Sequence, residues 1–179
     1  MSELKDIRRV VTIVDDDNKA KILFDGINPN RRVRPQRGTV SNLLWVTNET
    51  PADVGGNEDR GQREVAVAPP RGGSVFRIVD IPPITAEVEA LPNDYHASQH
   101  GDSTPKRHQP PTHPLMHATR TVDYAIVMAG EIDMLLDDGE EVHLTAGDVL
   151  IQQATNHAWV NRGAEPCRIA FVLIDSQEP

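Results

Sequence analysis

The sequence predicts an all-β protein, a single antiparallel β-barrel or sandwich with an N-terminal strand extension. Three observations carry this. Runs rich in β-branched and apolar residues recur at short, near-regular spacing from Arg8 to the last apolar run. Glycine-bearing turns separate them, most plainly Asp137-Asp138-Gly139. Helical periodicity is almost absent.

The elements follow in order. "RRVVTIV" and "KAKILFDG" flank a polar turn at Asp15–Asn18, which reads as a hairpin. "SNLLWVTN" is a further strand. The stretch from Glu49 to Gly73 is rich in Gly, Pro and charge and reads as loop, before "SVFRIVDIPP" resumes strand character. Residues 83–94, around "TAEVEALPN", are expected to hold one short helix. A long connection bearing Pro and His leads to Pro114. From Thr121 the pattern is dense: "VDYAIVMAG", two strands inside "EIDMLLDDGEEVHLTAG", then "DVLIQQ", "HAWVNRG" and "CRIAFVLID". The 117–175 pattern is not repeated earlier, so one barrel is expected. Residues 112–179 would form its core. Residues 1–111 would complete or extend its sheets, or pack on a second subunit.

Composition sets limits on partners and place. The 179 residues are 38% hydrophobic and 25% charged, enough for one domain with a real core. Net charge is −9 and no basic stripe is visible, so neither nucleic acid nor an anionic membrane is an expected partner. The single Cys167 lies in an apolar run and reads as a packed thiol, which excludes a disulfide or Cys-type zinc framework. No apolar leader or membrane-length segment is seen, so a cytoplasmic protein is expected.

Five of the seven histidines fall between residues 96 and 117. A His-rich tract can bind metal. For His96, His100 and His108, however, the spacings fit no ligand geometry, and a solvated loop is expected. His143 alternates with Val142 and Leu144 and reads as a surface residue. The segment 117–130 is different. His117, Thr119, Thr121 and Asp123 are spaced by two, so one strand face carries an imidazole, two hydroxyls and a carboxylate. Val122, Tyr124, Ile126 and Met128 share the other face. His157, Trp159 and Asn161 share a face of a later strand. Two imidazoles and a carboxylate converging in a barrel mouth can hold Zn, Fe, Mn, Ni or Co. Bland readings stand beside this: threonines favour strands anyway, Asp123 can be structural, Trp159 can pack at the rim, Asn161 can tie down a turn, and Tyr124 can be core.

The spacing H-x-T-x3-D-x6-G, followed by G-D-x8-H-x3-N, resembles the two motifs of the cupins. These are small antiparallel barrels of jelly-roll type. His117, Asp123 and Gly130 fall on the His, Glu and Gly places of the first motif. Gly147, His157 and Asn161 match the second, with His157 one residue early and Gln153 in a Pro place. The signature "H-x-T-x-T-x-D-Y … T-N-H-x-W-x-N" is similar to that of a subgroup of small single-domain cupins. The resemblance departs from the usual metal site of three histidines and a glutamate. Thr119 stands where a second His is usual. Asp123 is shorter than Glu by one methylene, about 1.5 Å. His113 offers another imidazole nearby.

The resemblance implies a small-molecule enzyme. His117, His157 and Asp123 would be its catalytic and metal-holding residues, with Thr119, Thr121, Tyr124 and Trp159 contacting substrate. A divalent metal and no nucleotide cofactor are expected. A lyase or isomerase acting on an oxygen-rich metabolite by dehydration, decarboxylation or enolisation fits such a group. The alternatives are a non-catalytic metabolite binder and an iron-dependent dioxygenase. Small cupins commonly pair, so a homodimer is expected.

Overall fold

The computed structural model describes residues 4–99 and 103–179. Its strands are β1 (Arg8–Val14), β2 (Ala20–Ile27), β3 (Arg31–Arg34), β4 (Thr39–Thr47), β5 (Ser74–Ile81), β6 (Thr121–Ala129), β7 (Glu131–Leu135), β8 (Glu141–Thr145), β9 (Val149–Gln153), β10 (Ala158–Val160) and β11 (Cys167–Asp175). They form a six-stranded sheet in the order β3-β4-β5-β11-β6-β9, a three-stranded sheet β10-β7-β8, and the separate ladder β1-β2. The strand pairings are antiparallel, giving the expected jelly-roll architecture as two facing sheets rather than one closed ladder.

The facing sheets meet on side chains that alternate inward. Ala125, Val127, Cys167 and Ile169 of the large sheet pack against Ile132 and Leu144 of the small one. Burying an aliphatic side chain of this size stabilises the fold by roughly 1.5–3 kcal/mol. Cys167 is fully enclosed, and burial pushes its thiol up to about 12, so it acts as a small apolar group.

Two turns show why particular residues stand where they do. Gly130, between β6 and β7, has φ +76°, and a Cβ there would lie 2.8 Å from the Pro166 carbonyl oxygen. Only glycine meets both demands. Asn161 is buried, and its Nδ2 donates to the carbonyls of Ile81 and Glu165 at 2.9 Å each, tying down the β10–β11 connection.

The N-terminal region differs from expectation in two ways. The β1-β2 hairpin forms its own ladder and extends neither sheet by pairing. β3 was not foreseen, because "RRVR" lacks an apolar alternation and is exposed throughout. The short helix expected within residues 83–94 is present as α1 (Ala86–Glu89), a single turn capped by Thr85 and pinned by buried Val88.

Candidate functional site

A cavity of about 420 Å³ opens between the two sheets, a size usual for small-molecule sites. Its apolar wall includes Val79, Ile81, Trp159, Phe171 and Leu173. Its polar wall carries His96, His117, Thr119, Asp123 and His157.

His117 and His157 are brought together by the backbone. The amide of each donates to the carbonyl of the other, at 2.8 and 2.9 Å, an isolated antiparallel bridge outside the main strands. Their ring centroids lie 4.3 Å apart. Each ring uses Nδ1 on the carbonyl two residues earlier, Leu115 for His117 and Thr155 for His157, both at 3.0 Å. A carbonyl only accepts, so Nδ1 carries a proton in each ring, and any lone pair a ring offers is on Nε2.

Asp123 lies on the inward face of β6, 6% exposed. Gln152 donates to its Oδ2 at 3.1 Å, while Oδ1 is enclosed without a hydrogen-bond partner. Burial pushes its pKa up to about 6, with the Thr121 hydroxyl and the Arg77 charge pulling the other way. A carboxyl poised near neutrality in a cavity can take up and return a proton. Thr119 and Thr121 are enclosed and bond each other, Oγ1 to Oγ1, at 2.8 Å. Trp159 lines the cavity and meets Phe171 edge-on at 5.4 Å.

Three sequence expectations are corrected. Tyr124 shares the outward face of β6 and is 44% exposed, so it neither contacts the cavity nor packs in the core. Strand alternation had separated it from His117 and Asp123, and the outer face of this sheet is open. His113 does not line the cavity; its Nδ1 accepts the Leu115 amide at 3.1 Å within a turn. The additional imidazole comes instead from His96, which is buried and sits edge-on to His117 with centroids 4.2 Å apart. His96 was expected in a solvated loop. Only the fold of residues 92–99 over the cavity reveals it, and no local spacing signals it. His108 is exposed with Nδ1 on the Pro105 carbonyl, and His143 is exposed beside Asp133, both as loop or surface residues should be. His100 lies outside the described residues.

A divalent metal is implied by the resemblance, and the donor set fits it in part. His117 and His157 present basic Nε2 atoms, and Asp123 has an enclosed oxygen without a partner. Thr119, in place of a histidine, spends its hydroxyl on Thr121. Among the described residues no group of three His, Cys, Asp or Glu is arranged around one point. The arrangement therefore suits a metal on two imidazoles with open positions, not a four-ligand cage.

Comparison with known proteins places the chain. The cupin domain family matches residues 103–174. The cupin-domain-containing oxidoreductase srdD of Neurospora crassa is 30% identical over 98% of this chain and 78% of its own length. The cupin-domain-containing oxidoreductase fogC of Aspergillus ruber is 28% identical over 98% of this chain and 75% of its own length. Among solved structures, a Cupin 2 conserved barrel domain protein from Salinispora arenicola is 15% identical, with a TM-score of 0.42 over 80% of this chain and 82% of that one. The chain belongs to the cupin family.

Proposed function

We infer that the cavity is the active site of a small-molecule enzyme that moves protons on an oxygen-rich metabolite. The observation that carries this reading is Asp123, buried beside Arg77's charge with one carboxylate oxygen unpartnered and a pKa near 6, in the same cavity as two imidazoles. Asp123 would take the proton from carbon or hydroxyl. His117 and His157, tautomers fixed by their carbonyl bonds, would hold substrate oxygen or return a proton through Nε2. Trp159 and Phe171 exclude water from one side. The reaction class is dehydration, decarboxylation or enolisation.

A divalent metal, when bound, would be held by His117 and His157 with Asp123 nearby, and would polarise a carbonyl. Oxidation is the second reading, favoured by the printed names of both relatives above. The test is metal analysis of untagged protein, followed by turnover of a panel of hydroxy and keto acids with and without chelator. Turnover that survives chelation supports His–Asp proton transfer. Turnover that requires metal and consumes oxygen supports the oxidative reading. Binding without turnover in every arm leaves a metabolite binder.

A homodimer belongs to the same proposal. Tyr124, Ile126 and Met128 on β6 and Val149 and Ile151 on the adjacent β9 expose a contiguous apolar outer face, each 44–59% exposed. A second copy is the simplest cover for such a surface. A cytoplasmic setting is also part of the proposal, and the single packed Cys167 suits a reducing compartment. Among the described residues no helix is long and apolar enough to cross a membrane.

A further inference from the structure

The cavity lining carries three arginines to which the function above gives no ligand-binding role. Arg34 ends β3, Arg37 lies in the β3–β4 turn, and Arg77 points inward from β5; all three line the cavity. Among the described residues that line it, Asp123 is the only carboxylate. This is an unusual concentration for a chain of net charge −9.

The arginines elsewhere sharpen the contrast. Arg9, Arg60, Arg71, Arg120, Arg162 and Arg168 each hold a carboxylate oxygen at 2.6–3.0 Å. Among the described residues, Arg34, Arg37 and Arg77 form no ion pair with a carboxylate; neither do Arg31, Arg63 and Arg107, but these are exposed and do not line the cavity. Arg77 is the most confined. Its Nη2 donates to the carbonyls of Ala66 and Val67 at 3.0 and 2.9 Å, which fixes the guanidinium, while Nε is enclosed without a partner. Burial and the nearby Arg34 charge lower its pKa to about 10, with the Asp123 charge pulling the other way, so it stays charged at neutral pH. Burial and Arg34 also lower the pKa of Arg37. Three like charges gathered at one cavity repel each other, and a bound anion would relieve that repulsion.

The turn that carries Arg37 is anchored to the histidine side. The Tyr95 hydroxyl donates to Gln36 Oε1, joining the β3–β4 turn to the loop that positions His96. The arginine wall and the histidine wall are thus held across one mouth. The remaining lining is mostly apolar, with Val79, Ile81, Phe171 and Leu173 among it, alongside the polar Thr39, Ser41, Thr85 and Asn161.

We propose that Arg34, Arg37 and Arg77 form an anion clamp, and that the ligand is an organic anion with an apolar body, its carboxylate or phosphate on the arginines and its reacting end toward His117, His157 and Asp123. Guanidinium groups pair with either oxyanion through two parallel N–H donors. Low-dielectric walls strengthen that attraction over its value at an open surface. The clamp rests on the reading of this cavity as a small-molecule site, and it adds the ligand's charge and its orientation.

The test reads binding, not turnover, on protein as purified and again after chelation. Benzoate, phenyl phosphate and uncharged benzyl alcohol are titrated by NMR chemical-shift perturbation. The expected result is at least tenfold tighter binding of one or both anions than of benzyl alcohol, with that preference falling to under threefold in Arg77→Met and in the double variant Arg34→Gln with Arg37→Gln. The double variant alters a turn and a strand end, so it keeps the test informative where Arg77→Met fails to fold. Benzoate against phenyl phosphate distinguishes a carboxylate ligand from a phosphate ester. An anion preference below threefold in the native protein, no binding of either anion, or a preference that persists in the double variant overturns the clamp. Anion preference in protein that turns over no substrate, either as purified or after chelation, would leave the clamp standing and defeat the enzyme reading instead.

Discussion

His117 and His157 sit opposite each other in a reciprocal pair of backbone hydrogen bonds, and their rings consequently lie 4.3 Å apart at the cavity wall. Forty residues of chain separate them, so this proximity is a product of the fold. It predicts that the pair acts as a unit. Replacing both with alanine should abolish metal binding and ligand affinity together, while either single change should remove most of both. Zinc and nickel titrations by calorimetry check this. Unchanged metal uptake and ligand affinity in the double variant would remove these residues from the site.

The Thr119 departure makes the opposite prediction. Thr119→His should strengthen zinc or nickel binding at least tenfold, because it adds an imidazole where a hydroxyl now bonds Thr121. Equal affinity in the same titration would show that this position does not face a metal.

Asp123 predicts a specific pH dependence of stability. Its folded pKa of about 6 lies above its ordinary 3.8, so the folded state holds the proton more tightly than the unfolded chain. Stability from this group is full below about pH 4 and is lost as pH rises through 6. In chelated protein, Asp123→Asn should therefore raise Tm at pH 8, by an effect on the order of 2–3 kcal/mol. The difference should vanish near pH 4. A variant less stable than the native protein at pH 8 would show that the carboxylate is paired and stabilising.

Gly130→Ala should lower stability by roughly 1–3 kcal/mol, since the added Cβ meets the Pro166 carbonyl at 2.8 Å in a left-handed backbone. Urea denaturation measures it. A change within about 0.5 kcal/mol would mean that the turn relaxes freely.

The outer face of β6 and β9 should be buried in solution. Light scattering is expected to give about twice the 19.8 kDa chain mass, with Ile126→Asp plus Ile151→Asp reverting it to monomer. A native monomer at micromolar concentration would contradict this pairing.

What the sequence made legible was set by range. Period-two alternation from Thr121 onward placed β6 to β11 and put Thr121 and Asp123 on the inward face of β6, because a strand determines its own facing; His117 reaches the same cavity from an isolated bridge before β6, where the expected alternation from residue 117 is broken. The same alternation put Tyr124 on the opposite face, but whether that face is covered depends on a neighbour the pattern does not contain. His96 was misread for a related reason. Its burial comes from a loop laid across the sheets, and the nearest local signal, a run of scattered histidines, points equally to solvent. β3, Arg34 and Arg37 were invisible because "RRVRPQRG" reads as solvated charge until the β3–β4 turn is seen lining the cavity.

The central claim is that Asp123 moves a proton in this cavity. The most direct measurement is the rate at which deuterium from solvent enters the α-carbon of enolisable keto acids, followed by proton NMR. Native protein should accelerate exchange for at least one acid, and Asp123→Asn should slow it by about 10²–10⁴-fold while remaining folded. Exchange at the buffer rate with native protein, or an equal rate with Asp123→Asn, would contradict the account.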